Sequence, residues 1–293
     1  MNISEIDYSK IIIETINQLF STLFSSIDNT IYSLLDEITF VDTRIMSNSI
    51  FTNALDSKIN SSIIAITNSL LIGFFLYYCF RLLYSHYSGI NIEKPYQFVF
   101  KLILFAICIN SSYFLCEFIL YVNSLVSGSI LEVGKTLTGY SISFNTLINQ
   151  LNNFIHNNNN SFNLFSYDGI IRSFISFGLI NLLFSYSLRY IIIKTLILCS
   201  PFAILTLLNQ STSWIFKSWA RALLSLLLVQ MLIAIFLLVI LSIEDVTTNT
   251  LSELIFIGGI FALSKANSFV KELIGGISTD LNFNLNNLKS LLK

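Results

Sequence analysis

Proline is nearly missing from this chain, with two in 293 residues, and glycine occurs only eleven times. So few breakers leave room for long uninterrupted helices. Charge is scarce as well, at 11% Asp, Glu, Lys and Arg. A soluble domain of this length needs about a quarter charged residues to cover its surface, so that class is excluded. Ten-residue segments of alternating polarity are absent too, which excludes a transmembrane barrel. The net charge of -1 excludes a globally basic nucleic-acid binder and leaves only local basic patches. Histidine is reduced to His86 and His156, which the span pattern below places on opposite sides of a membrane. No catalytic set, cofactor or metal is expected from them. The four cysteines, Cys79, Cys108, Cys116 and Cys199, make no CxxC pair and lie within apolar runs. They are expected as core or lipid-facing residues. The opening "MNISEIDYSKIIIETINQLF" is acidic and lacks a continuous apolar core, so it is not expected to be a cleavable signal.

What the chain does have is apolar length. Hydrophobic residues make up 54% and the mean hydropathy is +0.72, which points to an all-α polytopic membrane protein. Apolar windows of about twenty residues fall at 62–83, 98–125, 171–193, 216–243 and 251–269. The third run stays apolar to Leu208, broken only by Arg189 and Lys194. As one helix, 171–208 would reach roughly 57 Å, about twice the hydrocarbon thickness. Charge placement decides between one span with a continuation and two separate spans. With five spans and the N-terminus outside, eleven basic residues from Arg81 to Lys293 fall inside and five fall outside. That is the pattern of the positive-inside rule. A sixth span at 191–208 would reverse it locally, with Lys217 and Arg221 outside and Glu244 and Asp245 inside. Five transmembrane helices are therefore expected, N-terminus outside and C-terminus cytoplasmic.

Outside the spans, residues 1–58 are acidic with apolar spacing at Ile12, Ile16, Leu19 and Leu23. They read as extracytoplasmic amphipathic helices lying on the outer surface or on a partner. The membrane domain covers 59–278, its largest outer loop 127–168, and an asparagine-rich cytoplasmic tail follows at 279–293. Between the third and fourth spans, Pro201 is the expected bend, and "NQSTS" at 209–213 the turn, with Ser or Thr to cap the next helix. Arg189 and Lys194 mark the inner interface of the third span, and Trp214 and Trp219 sit at headgroup depth beside Lys217 and Arg221. The patch Arg189, Lys194, Lys217 and Arg221 anchors to anionic lipid, or docks an acidic partner or passing DNA.

"SILEVGKTLTG" from Ser129 imitates a phosphate-binding loop, but the first glycine is misplaced and the segment follows a helix, not a strand. Polar residues inside spans are better clues, because they are costly in hydrocarbon. Gly178, Asn181, Ser185 and Arg189 form one stripe down the third span. Asn110 and Glu117 share a face of the second, Gln230 stands alone in the fourth, and Gly258, Ala262 and Ala266 make a small-residue stripe in the fifth. The polar set either lines a path or holds the bundle together, and the small stripe permits close helix contact. Glu117 is expected to pair with Arg172.

The second half resembles the TrbL-like polytopic inner-membrane subunits of type IV secretion and conjugation systems. The residues that carry this are "LILCSPFAILTLL" with Pro201, "STSWIFKSWARALL" with Trp214 and Trp219, and the short fifth span ending "FVKELIGG" with Gly275 and Gly276. The likeness covers roughly 60–278, and its outer loop departs by being asparagine-rich. It implies a non-enzymatic channel or scaffold component of a DNA or protein transfer machine in the bacterial inner membrane. Its partners would be other secretion-system membrane subunits, a cytoplasmic secretion ATPase, further copies of itself, membrane lipid and a transient DNA or protein cargo. The alternative is a membrane-spanning permease subunit of a small-molecule transporter.

Overall fold

The computed structural model describes residues 14–19, 34–55, 62–89, 94–156, 167–242 and 249–275. Helix dominates the described residues, with no strand among them. We number the helices α1 (Ser49–Ala54), α2 (Ile63–Ser88), α3 (Pro95–Asn110), α4 (Ser112–Thr138), α5 (Phe144–His156), α6 (Tyr167–Leu198), α7 (Ser200–Leu205), α8 (Ser213–Leu241) and α9 (Asn249–Ile274). Five stretches are long and apolar enough to cross a membrane: Ile63–Ser88, Ser112–Thr138, Gly169–Leu198, Ser213–Leu241 and Leu254–Ile274.

Local chemistry sets the ends. The Ser62 hydroxyl accepts from the Ala65 amide at the start of α2, and Gly89 closes it with φ +69°. Pro95 opens α3, where its missing N–H costs nothing. The apolar run 98–125, expected as one span, is two helices meeting at Ser111. Hydrogen bonds from Ser111 to Ile107 and from Leu115 to Ser111 carry the chain across that break. The helical path therefore continues into the segment expected as outer loop: α4 runs on to Thr138, and Gly139 caps it with φ +76°.

Packing divides the described helices into two groups. α4, α6, α8 and α9 form a four-helix bundle, while α2 packs chiefly on α3 and α7. In the bundle α4 and α8 run side by side in the same direction, with Asn123 beside Gln230 and Gly134 against Leu238. In the second group α2 opposes α3, with Asn68 bonded to Asn110 and Tyr78 stacked on Phe98 at 3.8 Å between ring centroids. The break at Ser111 hands the chain from the α2–α3 pair to α4 of the bundle.

The segment 34–55 departs from expectation. It does not lie on a surface but enters the bundle. Leu35 is buried with Phe144, Leu147 and Leu179. Further along, Val41, Ile45, Met46, Phe51 and Leu55 are buried with Ile64, Ile109, Leu120 and Ile193. A one-sided apolar pattern states only that a face must be covered. Here the covering surface is the chain's own helices. Ile16 and Leu19 belong to a described helical stretch at 14–19, where Leu19 is exposed, while Ile12, Leu23 and the tail 279–293 lie outside the described residues.

Candidate functional site

α6 supplies the principal site because its polar stripe turns inward. Gly178, Ser185 and Arg189 are all buried, and Asn181 is half-buried with its Oδ1 enclosed. At Gly178 an added Cβ would lie 2.7 Å from Ile260 Cγ2, so this position brings α6 and α9 close together. About two turns further along α6, the Tyr186 hydroxyl donates to the Leu263 carbonyl of α9 at 3.0 Å.

Arg189, expected at a membrane interface, is instead 0% exposed within the protein. Its Nη2 donates to the carbonyl of Thr39, and its guanidinium sits over the Tyr186 ring, 5.3 Å from the centroid. Nε and Nη1 have no hydrogen-bond partner among the described residues, nor do Thr39 Oγ1 and Ser185 Oγ. A cation enclosed without a carboxylate is costly, and the carbonyl dipole and the aromatic face offset only part of that cost. The segment 34–46 is thus held to α6 by a charged donor.

Asp36, one turn before Thr39, faces elsewhere. Its Oδ1 accepts from the Phe144 amide at 2.9 Å and its Oδ2 from the Asn145 amide at 3.4 Å, at the start of α5. Burial pushes its carboxyl above the ordinary carboxylate range, and the two amide bonds pull the other way. The segment is therefore tied at two depths, to α5 through Asp36 and to α6 through Thr39.

A second polar cluster lies between α4 and α8. Asn123 donates to Gln230 Oε1 at 3.1 Å, and Gln230 donates in turn to the Ser127 hydroxyl at 2.9 Å. All three side chains are buried. Gln230, which stands alone in its own span, thus gains partners from a neighbouring helix. Asn123 and Ser127, four residues apart on one face of α4, were the signal that could have found them.

The other expected residues take varied places. Asn110 joins α3 to α2 through Asn68 at 3.2 Å and is itself exposed. Glu117 is half-buried on α4, next to Cys116, whose side chain faces Ser200. The expected pairing of Glu117 with Arg172 falls on a side chain outside the described residues. Pro201 is buried at the start of α7, where the chain leaves α6 at Cys199. Thr212, at the start of α8, makes no capping bond; its hydroxyl donates back to the Thr206 carbonyl at 2.7 Å and tightens the turn.

Trp214 is 63% exposed, whereas Trp219 is half-buried and its Nε1 donates to the Leu196 carbonyl at 2.8 Å. Gly258 and Ala262 are exposed and Ala266 is buried. The close approach falls one residue away from the expected stripe: a Cβ at Gly259 would meet Ile240 Cδ1 at 2.6 Å, while one at Gly258 meets nothing within 4 Å. Gly275, with φ +72°, closes α9 beside Arg221, and Gly276 lies outside the described residues.

No protein-family model matches this sequence, and no curated protein matches it significantly. Lys135 and Thr136 lie within the helix α4, so the segment that imitates a phosphate-binding loop is no loop. Among the described residues no group of three His, Cys, Asp or Glu side chains could hold a metal ion. What the arrangement does is join helices: Asp36, Arg189, Tyr186, Asn123 and Gln230 each bond to a different segment of the chain.

Proposed function

We propose that this chain is a non-enzymatic, multi-pass subunit of the bacterial inner membrane, a TrbL-like channel or scaffold component of a type IV secretion machine. The observation that carries the reading is the joint between the two helix groups. Two of the three stretches behind the resemblance, Leu196–Leu208 and Ser211–Leu224, form that joint: α7 and the 3-10 turn Thr206–Leu208 leave α6, and α8 returns so that Trp219 bonds to Leu196. A motif placed at the hinge between two packed groups suits a subunit that must fit against neighbours. In this reading five helices cross the membrane with the N-terminus outside, and the segment 34–55 dips into the bundle from that side. Removing Arg189, now a core residue, from the cytoplasmic count leaves ten basic residues inside against five outside, so charge still supports the orientation.

The partners are further copies of the chain, other membrane subunits and a cytoplasmic secretion ATPase. The exposed Gly258 and Ala262 offer a face on which a second helix can approach closely. The test is co-purification of the tagged chain with the ATPase and membrane subunits encoded beside it, together with transfer measured after its deletion. Undiminished transfer without the chain defeats the proposal. Orientation is tested separately by cysteines introduced at Ser213 and Thr247: the first should label only from the cytoplasm and the second only from outside.

A permease subunit is the second reading. The side-chain atoms of Asn181, Ser185 and Asn267 that lack partners among the described residues, on α6 and α9, favour it, because polar groups kept within spans mark substrate paths as well as bundle contacts. Uptake of a small solute by vesicles containing the chain, abolished by Asn181→Leu, would prefer this reading over the first.

A further inference from the structure

Polar atoms without partners gather where one face of α6 meets α9. Gly178 lies against Ile260, and further along both helices Tyr186 reaches Leu263, so α6 and α9 run in the same direction. Ser185 and Asn267 each stand seven residues, two helical turns, beyond that first contact, which brings them to one depth on facing sides. Both are buried. Neither the Ser185 hydroxyl nor either amide atom of Asn267 has a hydrogen-bond partner among the described residues. One turn on, Arg189 has Nε and Nη1 unbonded among them, and one turn back Asn181 Oδ1 is unbonded too.

The segment 34–46 follows α6 along this seam. Leu35 is buried with Leu179 before the polar stretch, and Val41, Ile45 and Met46 are buried with Ile193 and Ile197 beyond it. Between them Thr39, 0% exposed, meets Arg189 through its carbonyl while its own hydroxyl stays unpartnered among the described residues. Opposed effects therefore act on one segment. Burial of its apolar side chains favours the seated position, whereas every polar atom sealed there without a partner carries a cost that hydration removes. Such a balance is what a two-state element requires.

We infer that the segment 34–46 is a plug that closes a polar path between α6 and α9. Withdrawn from Arg189, it admits water and small uncharged polar solutes to Asn181, Ser185 and Asn267. Amides and a hydroxyl offer such solutes hydrogen bonds, and the fixed guanidinium turns cations away. The inference rests on the membrane reading shared by both proposals above and not on a place in a transfer machine. A failure of transfer therefore leaves it standing, and an absence of uptake by the unaltered chain is what a seated plug produces.

The test uses the full chain in liposomes, with Ser185→Cys as the reporter. The probe is a small, membrane-impermeant methanethiosulfonate, and modification at position 185 is read by mass spectrometry of its peptide. With the segment otherwise unaltered the reaction should be slow. L35A/D36A loosens the segment without touching the seam and should speed the reaction roughly tenfold or more, because the rate follows the open fraction. L237A makes a comparable cavity at a buried position of α8; it should lower the thermal midpoint and leave the rate unchanged. T39V keeps the carbonyl that Arg189 bonds and removes the unpartnered hydroxyl, so it should slow the reaction and raise the midpoint. Should L35A/D36A not fold, T39V decides alone. Osmotic swelling in glycerol reads the path itself, and liposomes holding L35A/D36A should swell faster than those holding the parent. Fast reaction in the parent, equal acceleration by L35A/D36A and L237A, or none by L35A/D36A overturns the inference. So does an unchanged or faster reaction with T39V, or equal swelling of the two preparations.

Discussion

The guanidinium of Arg189 donates to the main-chain carbonyl of Thr39, a contact between residues 150 apart in sequence. It joins the middle of a long apolar helix to a segment that looks like a surface appendage, and it does so where neither partner is exposed. The charge is only partly compensated there, with two of the guanidinium nitrogens unbonded among the described residues.

Replacement of Arg189 should therefore separate charge from volume. Arg189→Met keeps the length and removes the buried cation, and its stability should stay within about 1 kcal/mol of the parent or exceed it. Arg189→Ala leaves a cavity and should cost roughly 2–4 kcal/mol. Thermal unfolding in detergent reads both. An equal fall in the two variants would mean that the cation itself holds the segment.

Neighbouring glycines on α9 should answer oppositely to alanine. At Gly259 a Cβ would press on Ile240 at 2.6 and 2.7 Å, so Gly259→Ala should lose about 1–3 kcal/mol through overpacking. At Gly258 the space is open, and Gly258→Ala should gain up to about 1 kcal/mol from helix propensity. In the same preparations Gly258→Leu should reduce cross-linked oligomers while leaving the monomer folded. Unchanged cross-linking removes Gly258 from the assembly face.

Asp36 gives a pH signature. Its carboxyl titrates higher in the folded chain than in the unfolded one, because burial outweighs the bonds from Phe144 and Asn145. Between the two values the folded state holds the extra proton, so stability falls as pH rises from the ordinary aspartate value, about 3.9, through the raised one. Above that window it is flat. Asp36→Asn should abolish the fall and still accept the Phe144 amide bond. The check is the thermal midpoint across that range, and a wild-type midpoint that rises with pH there contradicts it.

The two tryptophans should separate stability from anchoring. Trp219→Phe leaves the Leu196 carbonyl without its donor and should cost about 1–2 kcal/mol. Trp214 is mostly exposed, so Trp214→Phe should change stability by less than about 0.5 kcal/mol while weakening the co-purification proposed above. Equal midpoints in the two variants would show that the Trp219 bond contributes nothing.

Much of this architecture follows from local rules. The expected spans at 62–83, 171–193, 216–243 and 251–269 each fall within a described helix or overlap most of one, because apolar length alone demands a helix in hydrocarbon. Asn181, Ser185 and Arg189 were legible as one stripe for a similar reason, since their spacing is a property of a single helix. Depth and partner were not legible in that way. The break at Ser111 leaves the apolar run uninterrupted, so hydropathy passes over it. Gly258 and Gly259 are the same residue type with opposite surroundings.

Composition and periodicity by themselves determined that this chain is helical, membrane-sized and poor in reactive groups, because those properties depend on the polarity of each residue and its near neighbours. Tertiary structure alone decided that 34–55 enters the bundle, that Arg189 is a core residue, and that Ser185 and Asn267 stand at one depth. Each of those depends on which apolar surface covers which, and contacts between residues far apart in sequence leave no periodic trace in either partner.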